Sequence, residues 1–175
     1  MTHSLYHVIY IQIIRPMKTK LIMLTIVMGL YSCQRPTNEL TDTERERITE
    51  EIRQLTNSIF EGANRKDIDQ VYANFSDKVT GAFPGTIMES WEEHKQESAN
   101  FYAKQEFVDY KIENMNIDVL SSDVAVLLGK YTFIATDTTG VTINSSSAWT
   151  YVFNKENGKW KIVHFHISDP PSLQE

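Results

Sequence analysis

The chain has 175 residues, with 17 basic against 23 acidic side chains and a formal net charge of -6. That length suits one domain, and no run of Lys or Arg offers the face a nucleic-acid backbone requires, so nucleic-acid binding is excluded as a function class. The single cysteine rules out an intramolecular disulfide, leaving the folded part to rest on its hydrophobic core and its partners to be sought among small molecules, membranes and proteins.

Residues 1–16, MTHSLYHVIYIQIIRP, end in a proline and are followed by Met17, which reads as the true start. Lys18 and Lys20 then precede an apolar run from Leu21 to Leu30, the layout of a secretion signal. The run is too short to cross roughly 30 Å of hydrocarbon as a helix. The stretch LYSC that closes it resembles a bacterial lipoprotein lipobox, with Leu30 at its start, Ser32 as the small residue and Cys33 as the residue to be acylated; Tyr31 departs from the usual small residue. This resemblance implies a lipid on Cys33 and a place in the bacterial cell envelope. Without an acidic cluster after Cys33, the anchor is expected to face the periplasm. A plain signal, with Cys33 an ordinary residue, is the alternative. The organisation that follows is a signal segment at 1–33, a polar tether containing Pro36 at 34–43, a folded domain at 44–171 and a tail at 172–175.

Thr41, with Glu44 three residues on, predicts a capping box, and Ile48, Ile52, Leu55, Ile59 and Phe60 recur at the three- and four-residue spacing of an amphipathic helix. A second helix is expected over 66–75, with Ile68, Val71, Tyr72 and Phe75 on one side. A brief strand at KVTGAFPG ends in a Pro-Gly turn, and ESWEEHKQESANFYAK reads as a third helix. Beyond Gln105 the apolar period changes to two. The runs 106–120, 123–137, 141–154 and 159–168 are four strands separated by Ser121-Ser122, Thr139-Gly140 and Asn157-Gly158. Helices followed by a meander predict an α+β domain, three N-terminal helices packed on the concave face of a curved antiparallel sheet.

This order, ending in NGKWKIVHFHISDPP, resembles the nuclear-transport-factor-2-like cone, in particular its SnoaL-like members and the association domain of calcium/calmodulin-dependent protein kinase, over about residues 45–171. The resemblance implies a pocket between sheet and helices and a homodimer formed through the sheet. Aligned on the motif, the three arginines of that association domain's pocket fall at Tyr131, Tyr151 and Ile167, and its pocket tyrosine, histidine and tryptophan fall at Tyr72, His94 and Tyr102. Phe133 and Trp149 join these as expected ligand contacts, with Phe83 and Phe60 as further wall candidates. Guanidinium groups select carboxylates and phosphates, whereas phenols, an imidazole and apolar side chains suit a small, mostly uncharged ligand.

On the last strand, strict alternation puts Val163, Phe165 and Ile167 inward and Trp160, Ile162, His164 and His166 outward. His164 and His166 resemble half of a metal site, but no third ligand is legible nearby, so they are expected to serve the dimer face, with no metal and no cofactor. The chain is accordingly read as a lipid-anchored binding module. Two alternatives stand beside it. One is an isomerase, cyclase or dehydratase acting on a cyclic carbonyl substrate, with His94 as candidate catalytic base and pocket tyrosines as donors; an inward Asp109, Glu113 or Asp118 would favour it. The other is a dimerisation scaffold without a ligand.

Overall fold

The computed structural model describes residues 39–169; the expected signal segment with Cys33, most of the tether and the tail at 172–175 lie outside the described residues. Thr41 caps α1 (Asp42–Arg65). Its Oγ1 accepts the Glu44 N–H at 3.2 Å while Glu44 Oε2 accepts the Thr41 N–H at 2.9 Å, which is the capping box expected there. Ile48, Ile52 and Ile59 are buried and Leu55 and Phe60 partly so, and each fully buried isoleucine contributes about 1.5–3 kcal/mol of transfer free energy.

The second helix is shorter than expected. Lys66 ends α1 in the left-handed conformation (φ 59), Asp67 caps a new start by accepting the Gln70 N–H at 3.0 Å, and only α2 (Ile68–Tyr72) follows before the chain enters a strand at Phe75. That strand, β1 (Phe75–Phe83), turns back at Gly85 into the short β2 (Thr86–Ile87). Ser90, whose Oγ accepts the Glu93 N–H at 3.2 Å, caps α3 (Trp91–Ala103). The long strands follow: β3 (Gln105–Val119), β4 (Val124–Asp137), β5 (Thr142–Glu156) and β6 (Lys159–Ser168). The β5–β6 hairpin turns on Asn157 and Gly158, both at positive φ (52° and 79°), as the Asn-Gly pair predicts.

The six strands form one curved sheet in the order β2-β1-β6-β5-β4-β3. Its pairs are antiparallel except β1 with β6, which run parallel. Helices precede the long strands and cover one face, giving the α+β cone that the order of elements predicts.

One strand departs from strict alternation. In β6, Ile162 pairs with Phe153 and His164 with Val152, so Val163 is the extra residue of a β-bulge. One inserted residue reverses the facing of everything before it. Phe165 and Ile167 face inward and His164 and His166 stay exposed, as expected, but Trp160 and Ile162 belong to the core (7% and 0% exposed) rather than to the outer face. Trp160 Nε1 donates to Glu51 Oε2 at 2.9 Å, tying this end of β6 to α1.

Candidate functional site

Between the helices and the inner face of the sheet lies a cavity of about 500 Å³, within the range of small-molecule sites. α1 contributes Ile59, Phe60 and Ala63; the end of α2 contributes Tyr72; α3 contributes His94, Glu97, Ser98 and Tyr102, all on the side turned to the sheet. The sheet supplies Phe75 and Phe83 from β1, Tyr110 from β3, Tyr131 from β4, Trp149 and Tyr151 from β5, and Phe165 and Ile167 from β6.

The expected ligand contacts Tyr72, His94, Tyr102, Tyr131, Trp149, Tyr151 and Ile167 therefore border one space, together with Phe60 and Phe83. Phe133 sits one layer behind it. Its ring stacks on Tyr110 at 4.7 Å and leans on Phe101 at 6.1 Å. Tyr110 is a wall residue that the sequence reading did not single out, because the facing of β3 depends on bulges on either side of Phe107–Ile112. Asn64 of α1 sets that facing: its amide donates to the Tyr110 carbonyl at 3.0 Å and its Oδ1 accepts the Tyr110 N–H at 2.6 Å. The alternation Val108, Tyr110, Ile112 was the available signal. With Tyr110 turned in, its neighbour Asp109 turns away and pairs with Lys111 at 2.8 Å, and Glu113 pairs with Lys130 at 2.7 Å. Neither these two carboxylates nor Asp118 lines the cavity.

Two glycines shape the aromatic floor. Gly129 pairs with Trp149 across β4 and β5, and a Cβ built on it would lie 2.3 Å from Trp149 Cη2. Gly81 pairs with Phe165 across β1 and β6, and its Cβ would lie 2.2 Å from Phe165 Cζ. Each ring thus lies down over a neighbouring strand that has no side chain to hold it off. The indole so placed keeps its Nε1 buried without a hydrogen-bond partner among the described residues. Such an orphan donor costs about 1–3 kcal/mol.

The polar groups form two clusters. At one, the Tyr72 hydroxyl donates to Ser98 Oγ at 2.6 Å and lies 3.3 Å from His94 Nε2. His94 is also packed against Phe83 (5.0 Å) and Phe165 (5.7 Å). Burial holds its pKa below the ordinary histidine value against the opposing pull of Glu97, so the imidazole is neutral at neutral pH. Burial pushes the Tyr72 phenol up to about 12, with the Ser98 bond acting the other way. At the second cluster, Tyr102 Oη donates to Tyr110 Oη at 3.4 Å, and Ser147, beside Tyr131, donates to the Asp169 carboxylate. Burial raises the phenols of Tyr102, Tyr110, Tyr131 and Tyr151 as well. All five tyrosines are therefore neutral hydroxyls in a largely apolar chamber. Among the described residues, no Lys or Arg lines it.

On the opposite face, His164 Nδ1 is 2.8 Å from Thr80 Oγ1, and no group of three or more His, Cys, Asp or Glu able to hold a metal ion occurs among the described residues.

A curved, mostly antiparallel sheet with N-terminal helices folded over an aromatic interior defines a nuclear-transport-factor-2-like domain. Within that class, the profile of the calcium/calmodulin dependent protein kinase II association domain matches residues 48–171, and the chain belongs to that family. Solved structures share the fold. The association domain of the C. elegans kinase is 22% identical, with a TM-score of 0.59 over 73% of this chain and 99% of that one. A putative dehydratase of the same superfamily from Streptomyces avermitilis is 16% identical, with a TM-score of 0.62 over 75% and 100%. The hexachlorocyclohexane dehydrochlorinase LinA-type3 from Novosphingobium barchaimii LL02 is 13% identical, with a TM-score of 0.62 over 76% and 97%.

Proposed function

We propose that the chain is a lipid-anchored, periplasm-facing envelope protein whose cone domain binds a small, mostly uncharged ligand and forms a homodimer through the outer face of its sheet. The observation that carries the binding reading is the cavity itself: about 500 Å³, walled by aromatic rings and neutral hydroxyls, with no cationic side chain among the described residues that line it. Ring faces and edges favour a flat or cyclic body, and the hydroxyls offer it a few orienting hydrogen bonds. The dimer reading draws support from an apolar outward strip. Val126 pairs with Val152, Leu128 with Thr150, and these adjoin His164 and His166. Leu128 is 54% exposed there, and the family is named for association. The anchor reading rests on the segment from Met17 to Cys33.

Native mass spectrometry of the full chain, released gently from its membrane, tests all three parts. A dimer carrying a small-molecule mass and a diacylglyceryl-modified Cys33 is the expected result. A bare dimer would favour the scaffold reading, and an unmodified Cys33 would remove the anchor.

One observation favours an enzymatic reading in second place. His94 is a half-buried, neutral imidazole beside the Tyr72 phenol, inside a fold shared with a putative dehydratase and a dehydrochlorinase. A base and a hydroxyl donor facing one cavity suit proton removal next to a carbonyl. With a substrate in hand, His94→Ala abolishes turnover if this reading holds and only weakens binding if the first one does.

A further inference from the structure

The aromatic chamber borders a second space of about 300 Å³ between the β1–β2 hairpin and the start of α3, and the two share Phe83, Thr86, His94 and Glu97. Their linings differ in kind. The inner space is bounded mainly by rings, whereas the outer one is bordered by Glu89, Glu93 and Glu97. Glu93 and Glu97 are four residues apart on α3 and so lie on one side of it. None of the three carboxylates pairs with a Lys or Arg among the described residues. The basic residue of that helix, Lys95, is held elsewhere, 2.7 Å from Glu92 and over the Trp91 ring at 5.5 Å. Among the described residues, no Lys or Arg borders either space.

A ligand that fills the chamber thus leaves its outer end in a negative field with no cation among the described residues lining it. An anion there would be repelled by three carboxylates, and a neutral end would gain little from them. A protonated amine would be attracted by the carboxylates and also by the ring faces just inside, since a cation near an aromatic face gains quadrupole attraction. We infer that the cavity and its entrance together take an amphiphilic amine: an uncharged cyclic body seated among the aromatic rings and a single ammonium group at Glu89, Glu93 and Glu97. This rests on the cavity being a ligand site and adds one charge at its mouth.

Three probes of one shape separate the two claims: 2-(1-naphthyl)ethylamine, 2-(1-naphthyl)ethanol and 1-naphthylacetate, titrated calorimetrically into the full chain at low and at high salt. The amine is expected to bind at least tenfold more tightly than the alcohol at low salt, with the carboxylate weakest and the amine's advantage shrinking as salt rises. In Glu89→Gln/Glu93→Gln/Glu97→Gln the ratio of amine to alcohol affinity is expected to fall to near one. Alcohol and amine binding equally, the carboxylate binding best, or an amine advantage that survives the triple substitution would each overturn the amine assignment while leaving the cavity as a ligand site. Failure of all three probes to bind would overturn both.

Discussion

Gly129→Ala places a methyl group where Trp149 now lies. The added Cβ would meet Cη2, Cζ3 and Cζ2 of the indole at 2.3, 2.4 and 2.6 Å, far inside van der Waals contact. The ring has little room to retreat, because it is 2% exposed and packed against Phe60 (5.2 Å), Tyr131 (5.5 Å) and Tyr151 (6.1 Å). Overpacking of this kind costs about 1–3 kcal/mol. Against it stands the lower unfolded-state entropy of alanine, worth about 0.4–1 kcal/mol where the backbone tolerates it, as it does at this position outside the positive-φ glycines. A net loss of about 1–2 kcal/mol follows, or a melting temperature lower by roughly 4–8 °C for a domain of this size. Urea unfolding followed by circular dichroism measures it. A double-mutant cycle with Trp149→Phe isolates the clash, since a smaller ring leaves space for the methyl group and alanine should then cost much less. If Gly129→Ala is as stable as the parent, or costs the same in both backgrounds, the close approach of indole to strand does not govern this part of the core.

Glu51→Gln is expected to flatten the acid limb of the stability profile. The Trp160 hydrogen bond, aided by Arg47, holds the Glu51 carboxyl below 4.5, so the stability it contributes is present above that value and lost as pH falls through the folded pKa; equal acid limbs for variant and parent in guanidinium titrations would refute this. His94 acts with the same sign for a different reason. Burial depresses its pKa below 6.5, so charging it costs folding free energy as pH falls beneath that value, and His94→Gln should lessen the loss between about pH 6.5 and 5 in thermal melts. Tyr131→Arg/Tyr151→Arg should turn ligand preference from neutral or cationic molecules towards carboxylates, read by competition among the naphthyl probes; an unchanged order would count against these tyrosines as ligand contacts.

Much of the architecture was legible without coordinates because it follows from local rules. The Thr41–Glu44 box, the isoleucine ladder of α1, the change to period two after Gln105 and the Asn157-Gly158 turn depend on residues within a few positions of each other, and each stands where the sequence places it. The aromatic character of the interior was legible too, since an inward strand position announces itself by alternation wherever the ladder runs unbroken, as it does at Trp149 and Tyr151 of β5.

What only the tertiary structure decided depends on register between distant segments. A single extra residue at Val163 moves Trp160 and Ile162 from the outer face to the core, and no local pattern marks it, because Trp160, Ile162 and Val163 would each suit a buried position. The parallel pairing of β1 with β6 joins segments some eighty residues apart and brings Gly81 beneath Phe165. The turning of Tyr110 inward and Asp109 outward rests on Asn64, a contact made across the helix–sheet layer. The sequence by itself determined which residue types the cavity would contain, because hydrophobic burial acts through local periodicity. Their meeting around one space was decided by long-range pairing, whose register a one-residue slip is enough to change.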